Sequence, residues 1–305
     1  MFLFAASGLH GEAGAIGGLI SGVVFDAPSR SLRPVVGVPG AAYLGQPVTR
    51  GFDAVSVAPD GRQAIVLAAG RLYWMSDVLA GLPARELAED VGPWELAAWR
   101  KDSSKVALSA GGRLLTASAD GRIVPLSLES VPGATSSLAV ADDGSVLAGV
   151  AGAGLYLLEE GAAPVLVAAL ADPVSIAAAG DRVWVADRAS GQVLEIRRYR
   201  EAPELILFAG AGQGVSDPVA VALSRRGAAL WVADAAGRKT IRFDLATGEP
   251  AGQVNLDFEP ARLEALGAAG FVLNEHAGHG EALQVLVEDS APGVYFVPAP
   301  TLGEE

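Results

Sequence analysis

The sequence predicts an all-β chain folded as a β-propeller, and three observations carry that prediction. A motif is written twice: Asp172-Pro-Val-Ser-Ile-Ala leads to Val183-Trp-Val-Ala-Asp187, and Asp217-Pro-Val-Ala-Val-Ala leads to Leu230-Trp-Val-Ala-Asp234. The closing aspartates stand 47 positions apart, close to the roughly 40–45 residues of one four-stranded blade. Apolar residues alternate over short runs broken by Asp-Gly, Gly-Asp and Gly-rich turns, the signature of short strands. No stretch sustains a helical period.

Taken in order, the first complete unit starts at Phe52-Asp-Ala-Val-Ser-Val-Ala and turns at Asp60-Gly61. It continues through Gln63-Ala-Ile-Val-Leu-Ala, Arg71-Leu-Tyr-Trp-Met and Arg85-Glu-Leu-Ala. The same rhythm restarts near Trp94, Ser136, Pro173, Pro218 and Pro260, with first turns at Asp102-Ser103, Asp143-Gly144, Gly180-Asp181 and Arg226-Gly227. Upstream, Gly22-Val-Val-Phe-Asp26 and Leu32-Arg-Pro-Val-Val36 read as the third and fourth strands of another unit, with Phe2 to Ala5 as its inner strand. The expectation is seven blades with a degenerate first one. Six blades, with the N-terminal strands patching the C-terminal blade, is the alternative. Residues 1–305 read as one domain, with 1–43 a partial N-terminal blade and 44–305 six four-stranded repeats. Ring closure protects the edge strands that an open sheet would expose.

Composition narrows the function classes. The net charge is −13, and a field of that sign repels phosphate backbones and anionic membranes, so neither nucleic acid nor a membrane surface is an expected partner. Cysteine is absent, which removes disulfides, thiolate ligands and thiol nucleophiles. Among 22 basic residues only Lys101, Lys105 and Lys239 are lysines, and Ala and Gly abound, a bias that suggests a GC-rich bacterial genome. The opening Met1-Phe-Leu-Phe-Ala-Ala-Ser-Gly is too short for a signal peptide or a membrane span, so no leader is read here. Export follows only if the native start lies upstream, and the compartment stays open. A monomer is expected.

Residues 205–244, from Leu205-Ile-Leu-Phe-Ala-Gly through Asp217-Pro-Val-Ala-Val-Ala and Leu-Trp-Val-Ala-Asp234 to Ile-Arg-Phe-Asp244, resemble the NHL repeat. They are also similar to YVTN-type bacterial propellers in their Pro-led inner strand, V-A-D second strand and Gly turn. Residues 172–198 match less fully, and Ala-Pro-Asp-Gly-Arg62 resembles the turn of WD40-like repeats. The resemblance is specific over about two blades. It implies protein or ligand binding, with a minority of lactonases and lyases on the same scaffold.

In a propeller the turns leading into first strands and those joining second to third strands open on one face. Asp53, Trp94, Glu95, Asp172, Asp217, Glu259 and Arg262 are therefore expected around the channel mouth on that face, with Trp94 as a stacking platform and the others supplying charge and hydrogen bonds. Asp187, Asp234, Asn274, His276 and His279 fall further out. The repeating aspartates read first as turn and strand caps, so the departures from the repeat, Trp94-Glu95 and Glu259 through His279, are the more informative positions. His276 and His279 have no third ligand of matching spacing, and no D-x-[DN]-x-[DN]-G loop exists, so no cofactor is expected, with calcium at the mouth carboxylates the one metal considered. G-x-S-x-G, H-E-x-x-H and P-loop patterns are absent, and a Ser-His-Asp triad would have to use His276 or His279. The leading expectation is a non-enzymatic propeller binding a small ligand or protein at the channel mouth. The alternative is an NHL-like metal-dependent lactonase or lyase with Glu259 or His276 as base.

Overall fold

The second and third strands of each unit are apolar on both sides, so each sheet must be covered on both faces. Packing like sheets face to face around a ring satisfies that demand for every copy at once. The computed structural model describes residues 19–81, 84–267, 270–274, 282–288 and 292–298, and they form seven antiparallel sheets arranged as a β-propeller. Phe2 to Ala5, His10, His276 and His279 lie outside the described residues. Among the described residues no helix is long and apolar enough to cross a membrane.

Blades 2 to 7 each run in simple order from inside to outside. Their first strands are Ala54–Val57, Trp94–Trp99, Thr135–Val140, Pro173–Ala179, Pro218–Leu223 and Glu264–Leu266. The last begins four residues beyond the expected Pro260. Burial grades outward within a blade. In blade 6 the second strand, Ala229–Asp234, is buried throughout, whereas most of the fourth, Pro250–Asn255, faces solvent.

The core lies between the blades. Seven apolar clusters occur among the described residues, and each joins two neighbouring sheets, so the packing runs round the whole ring. Trp184 and Trp231, equivalent positions of the repeated motif, are 1% exposed and fill the interfaces of blade 5 with blade 6 and of blade 6 with blade 7. Trp99, on a first strand, meets Trp74 edge-on at 5.2 Å and donates its indole N–H to Ser56 Oγ in the preceding blade.

Blade 1 corrects the expected order by one position. Ile20–Asp26 and Ser31–Val36 pair with each other, and the second of them also pairs with the short segments Tyr43–Leu44 and Thr49–Arg50. The start of Ile20–Asp26 lies against Gly267, which in turn meets Gly61, in the first turns of blades 7 and 2, while the turn after it carries Arg30 to Asp53 at the opposite end. That polarity belongs to second strands elsewhere in the ring. The segments expected as third and fourth are thus second and third, and residues 43–50 make an interrupted fourth. Ile20–Asp26 is the innermost described strand of its blade and packs against the first strands of both neighbours. Val24 and Val35 meet Leu266, Val272 and Leu283 of blade 7, so the ring closes by side-chain packing, with no described strand exchanged between the terminal blades.

Candidate functional site

The repeated aspartates come first, because their geometry decides what they can do. A proline at the head of a first strand offers no N–H to the ladder. In blade 5 Pro173 sits opposite Asp187, and the Asp172 N–H preceding it donates to Asp187 Oδ1 at 2.7 Å. In blade 6 Pro218 sits opposite Asp234, and Asp217 N–H donates to Asp234 Oδ1 at 2.6 Å. Asp234 also accepts from the backbone and hydroxyl of Ser216 and is fully buried. The Asp-Pro and Val-Ala-Asp halves of the motif are therefore two sides of one cap.

The carboxylates leading into the first strands form a second device. Asp217 takes a bidentate pair from Arg188 of the preceding blade, at 2.7 and 3.1 Å. Asp53 is paired with Arg30, and Glu259 with Arg238 at 3.3 Å, in the same sense round the ring. Asp53 also accepts the Ala69 N–H at 2.7 Å, which confirms that first-strand starts and second-to-third turns share a face. The hydrogen bond and charge of Asp217 hold the Arg188 guanidinium above its ordinary range, and Asp172 adds to that field. Glu95 reaches the turn of its own blade, accepting from Gly111 N–H at 3.3 Å and Ser109 Oγ at 3.4 Å. Trp94 is half-buried and packs against the cluster between blades 2 and 3.

The seven expected site residues thus share a face, yet no described hydrogen bond or ion pair links one of them to another. Three are matched to arginines of the preceding blade, one caps a turn, and one belongs to interblade packing. Arg30, Arg188 and Arg238 escaped the sequence reading. Their signal was available: each stands in the turn following a strand that ends in aspartate, Asp26, Asp187 or Asp234.

Blade 7 differs. Ala261 and Arg262 both donate backbone N–H groups to Leu273 O, and Arg262 Nε donates to Asn274 O at 2.8 Å. Its Nη1 meets Glu264 at 2.8 Å, but its Nη2 is buried with no hydrogen-bond partner among the described residues. One residue away in the network, Asn274 Oδ1 accepts from Gln284 N–H at 2.9 Å, and the Gln284 Oε1 is also buried without a partner. Both residues that carry an atom unmatched among the described residues are therefore bonded to Asn274 through other atoms, Arg262 through Nε and Gln284 through its N–H, at the copy where the repeat fails. Buried polar atoms left unpaired cost roughly 1–3 kcal/mol each.

The metal donors considered from sequence do not assemble among the described residues: no three His, Asp or Glu side chains stand close enough to hold an ion. Asp53, Asp217 and Glu259 face arginines instead. His276 and His279 lie outside the described residues.

No protein-family model matches the chain, and no curated protein matches it. Solved structures are similar to it in shape. A functionally unknown protein from Desulfotomaculum acetoxidans superposes with a TM-score of 0.59 at 14% identity, over 91% of this chain and 99% of that one. Virginiamycin B lyase from Staphylococcus aureus gives 0.54 at 14% identity, over 81% and 84% of the two chains. A streptogramin B lyase gives 0.55 at 15% identity, over 81% and 84%. What these structures share with this chain is the β-propeller fold, and this chain builds it with seven sheets.

Proposed function

We propose that the protein acts on a small ligand held at the blade 7 side of the channel mouth, as an enzyme of the lyase or ring-opening hydrolase type. The observation that carries the reading is the pair of buried polar atoms without partners among the described residues, Arg262 Nη2 and Gln284 Oε1, on two residues that are both bonded to Asn274. A ligand carbonyl or carboxylate would take the arginine donor, and an N–H or O–H on the same ligand would take the glutamine acceptor. The similarity in fold to two lyases supports turnover over passive binding.

In this reading Arg262 holds the oxygen on which negative charge develops, the task that preorganised donors perform best in a site shielded from water. Glu264, bonded to the other side of the guanidinium, fixes its plane. Glu259 is 66% exposed and held by a single 3.3 Å contact to Arg238, so it can turn toward a ligand and serve as general base. Asp53, Asp172 and Asp217 keep the face acidic and its blades in register. No step is assigned to a metal ion.

The second reading is a binding module with the same anchor. The two part in one experiment on the full chain: a panel of small lactones and cyclic esters is assayed for turnover and, in parallel, for thermal stabilisation, with and without added calcium. Turnover lost in Arg262→Met and Glu259→Gln supports the enzyme. Stabilisation without turnover, lost in Arg262→Met alone, supports the binding module. A panel that neither turns over nor stabilises, or an Arg262→Met protein that behaves as wild type, removes this face from consideration.

A further inference from the structure

The face opposite the channel mouth carries a separate groove between blades 3 and 4, with a volume of about 200 Å³. It is built from the first turn of blade 4 at Asp143 to Ser145, the outer strands of blade 3, and the turn after the third strand of blade 4 at Glu159 and Glu160. It is lined by Val124, Leu126, Val146 and Leu158 together with Thr116 and Lys105; Val124, Val146, Leu158 and Thr116 are buried in the sheet packing, so Leu126 and Lys105 present the accessible apolar and cationic surface.

Charge pairing in the groove is uneven. Arg122 is bonded to Glu160 through both carboxylate oxygens at 2.6 Å. Arg200 of blade 5 reaches Asp143 and, at 3.1 Å, Glu159. The carboxylates around the groove are thereby matched to arginines. Lys105 forms no ion pair among the described residues. Its ammonium donates once, to the backbone carbonyl of Gly144 at 2.7 Å, which leaves two of its three donors for other acceptors. Burial and the neighbouring Arg122 hold the Lys105 amine below its ordinary range, with Glu160 and Asp143 pulling the other way.

We infer that this groove is a second small-molecule site, independent of the channel mouth, and that it takes a monocarboxylate with a short apolar body. The carboxylate sits on the free donors of Lys105, and the apolar tail lies against Leu126. With Asp143, Glu159 and Glu160 already paired to Arg122 and Arg200, Lys105 supplies one unbalanced positive charge, which a monocarboxylate matches and a dianion exceeds. The volume falls below the roughly 300–1,000 Å³ of drug-sized sites, so the ligand is of short-chain-acid size.

Saturation-transfer-difference NMR on the full chain tests this with butyrate as probe and with n-butanol and inorganic phosphate as controls. Butyrate gives signal strongest at its methyl group, n-butanol binds at least tenfold more weakly, and phosphate does not compete. Lys105→Met weakens butyrate at least tenfold, and Arg262→Met leaves it unchanged. Should Lys105→Met fail to fold, Leu126→Trp, which fills the groove and keeps the lysine, must abolish the signal. Butyrate that gives no signal, that survives either groove variant, that is displaced by phosphate, or that is lost in Arg262→Met overturns the assignment.

Discussion

At the scale of single residues, Asp187 and Asp234 occupy the same place in the repeat but bear different loads. Asp234 accepts from Ser216 N–H, Ser216 Oγ and Asp217 N–H, whereas Asp187 accepts one side-chain-directed hydrogen bond, from Asp172 N–H. Removing either carboxylate strands backbone donors in a buried turn, at about 1–3 kcal/mol for each group left unpaired. Asp234→Ala should therefore lower unfolding stability by about 3 kcal/mol and Asp187→Ala by about 1 kcal/mol, read from urea denaturation with unchanged slope. Equal losses would mean that the Ser216 contacts contribute nothing. Sequence reasoning assigned these aspartates to structure because they recur, and their hydrogen bonds supply the reason: a proline-led strand needs a cap for the N–H before the proline.

At the scale of elements, the third strand of blade 5, Gln192–Arg197, carries a buried glutamate where its counterpart in blade 6 carries Arg242. Arg182 and Arg197 lie directly opposite each other across the second and third strands, a like-charge pairing that is unfavourable alone. Glu195, 2% exposed, bonds both of them and so neutralises the pair, while Arg182 stacks over Trp184 at 4.6 Å. Burial pushes the Glu195 carboxyl up, but the hydrogen bonds from Arg197 and Arg182 outweigh it and hold the group below its ordinary value of 4.5. A carboxyl depressed in the folded state contributes stability that is complete above its unfolded pKa and lost as pH falls through the folded one. Glu195→Gln should cost about 2 kcal/mol at pH 7, and the gap from wild type should close as the pH drops below 4.5. Parallel stability curves for the two proteins from pH 7 to pH 3 would refute that account. The rim pairs Arg30–Asp53, Arg188–Asp217 and Arg238–Glu259 are more exposed, so they set register between blades more than they add stability.

At the scale of the whole molecule, the seam between blades 7 and 1 decides whether the ring stays shut. Here Gly22 lies so close to Leu266 that an added Cβ would come within 2.6 Å of its Cδ1, and Gly267, at φ 49°, brings its backbone against Gly22 and Gly61. No strand crosses this seam among the described residues, so it depends on close packing alone. Gly22→Val should destabilise the protein by about 1–3 kcal/mol through overpacking. Faster amide hydrogen exchange should concentrate in 20–26 and 264–266, with blades 4 to 6 unaffected. Exchange that rises evenly round the ring would show that the seam is no weaker than the other interfaces.

The alternation of apolar residues and the twice-written motif were enough, by themselves, to determine the all-β propeller and its seven blades. Those properties are local or periodic, and each copy repeats the same backbone requirement. What only the tertiary structure decided is non-local. The strand positions in blade 1 depend on which neighbours its ends touch. The arginine partners of Asp53, Asp217 and Glu259 come from the preceding blade. Neither the unmatched atoms beside Asn274 nor the lone ammonium of Lys105 could be read from sequence, because whether a polar group is satisfied depends on which residues burial brings around it.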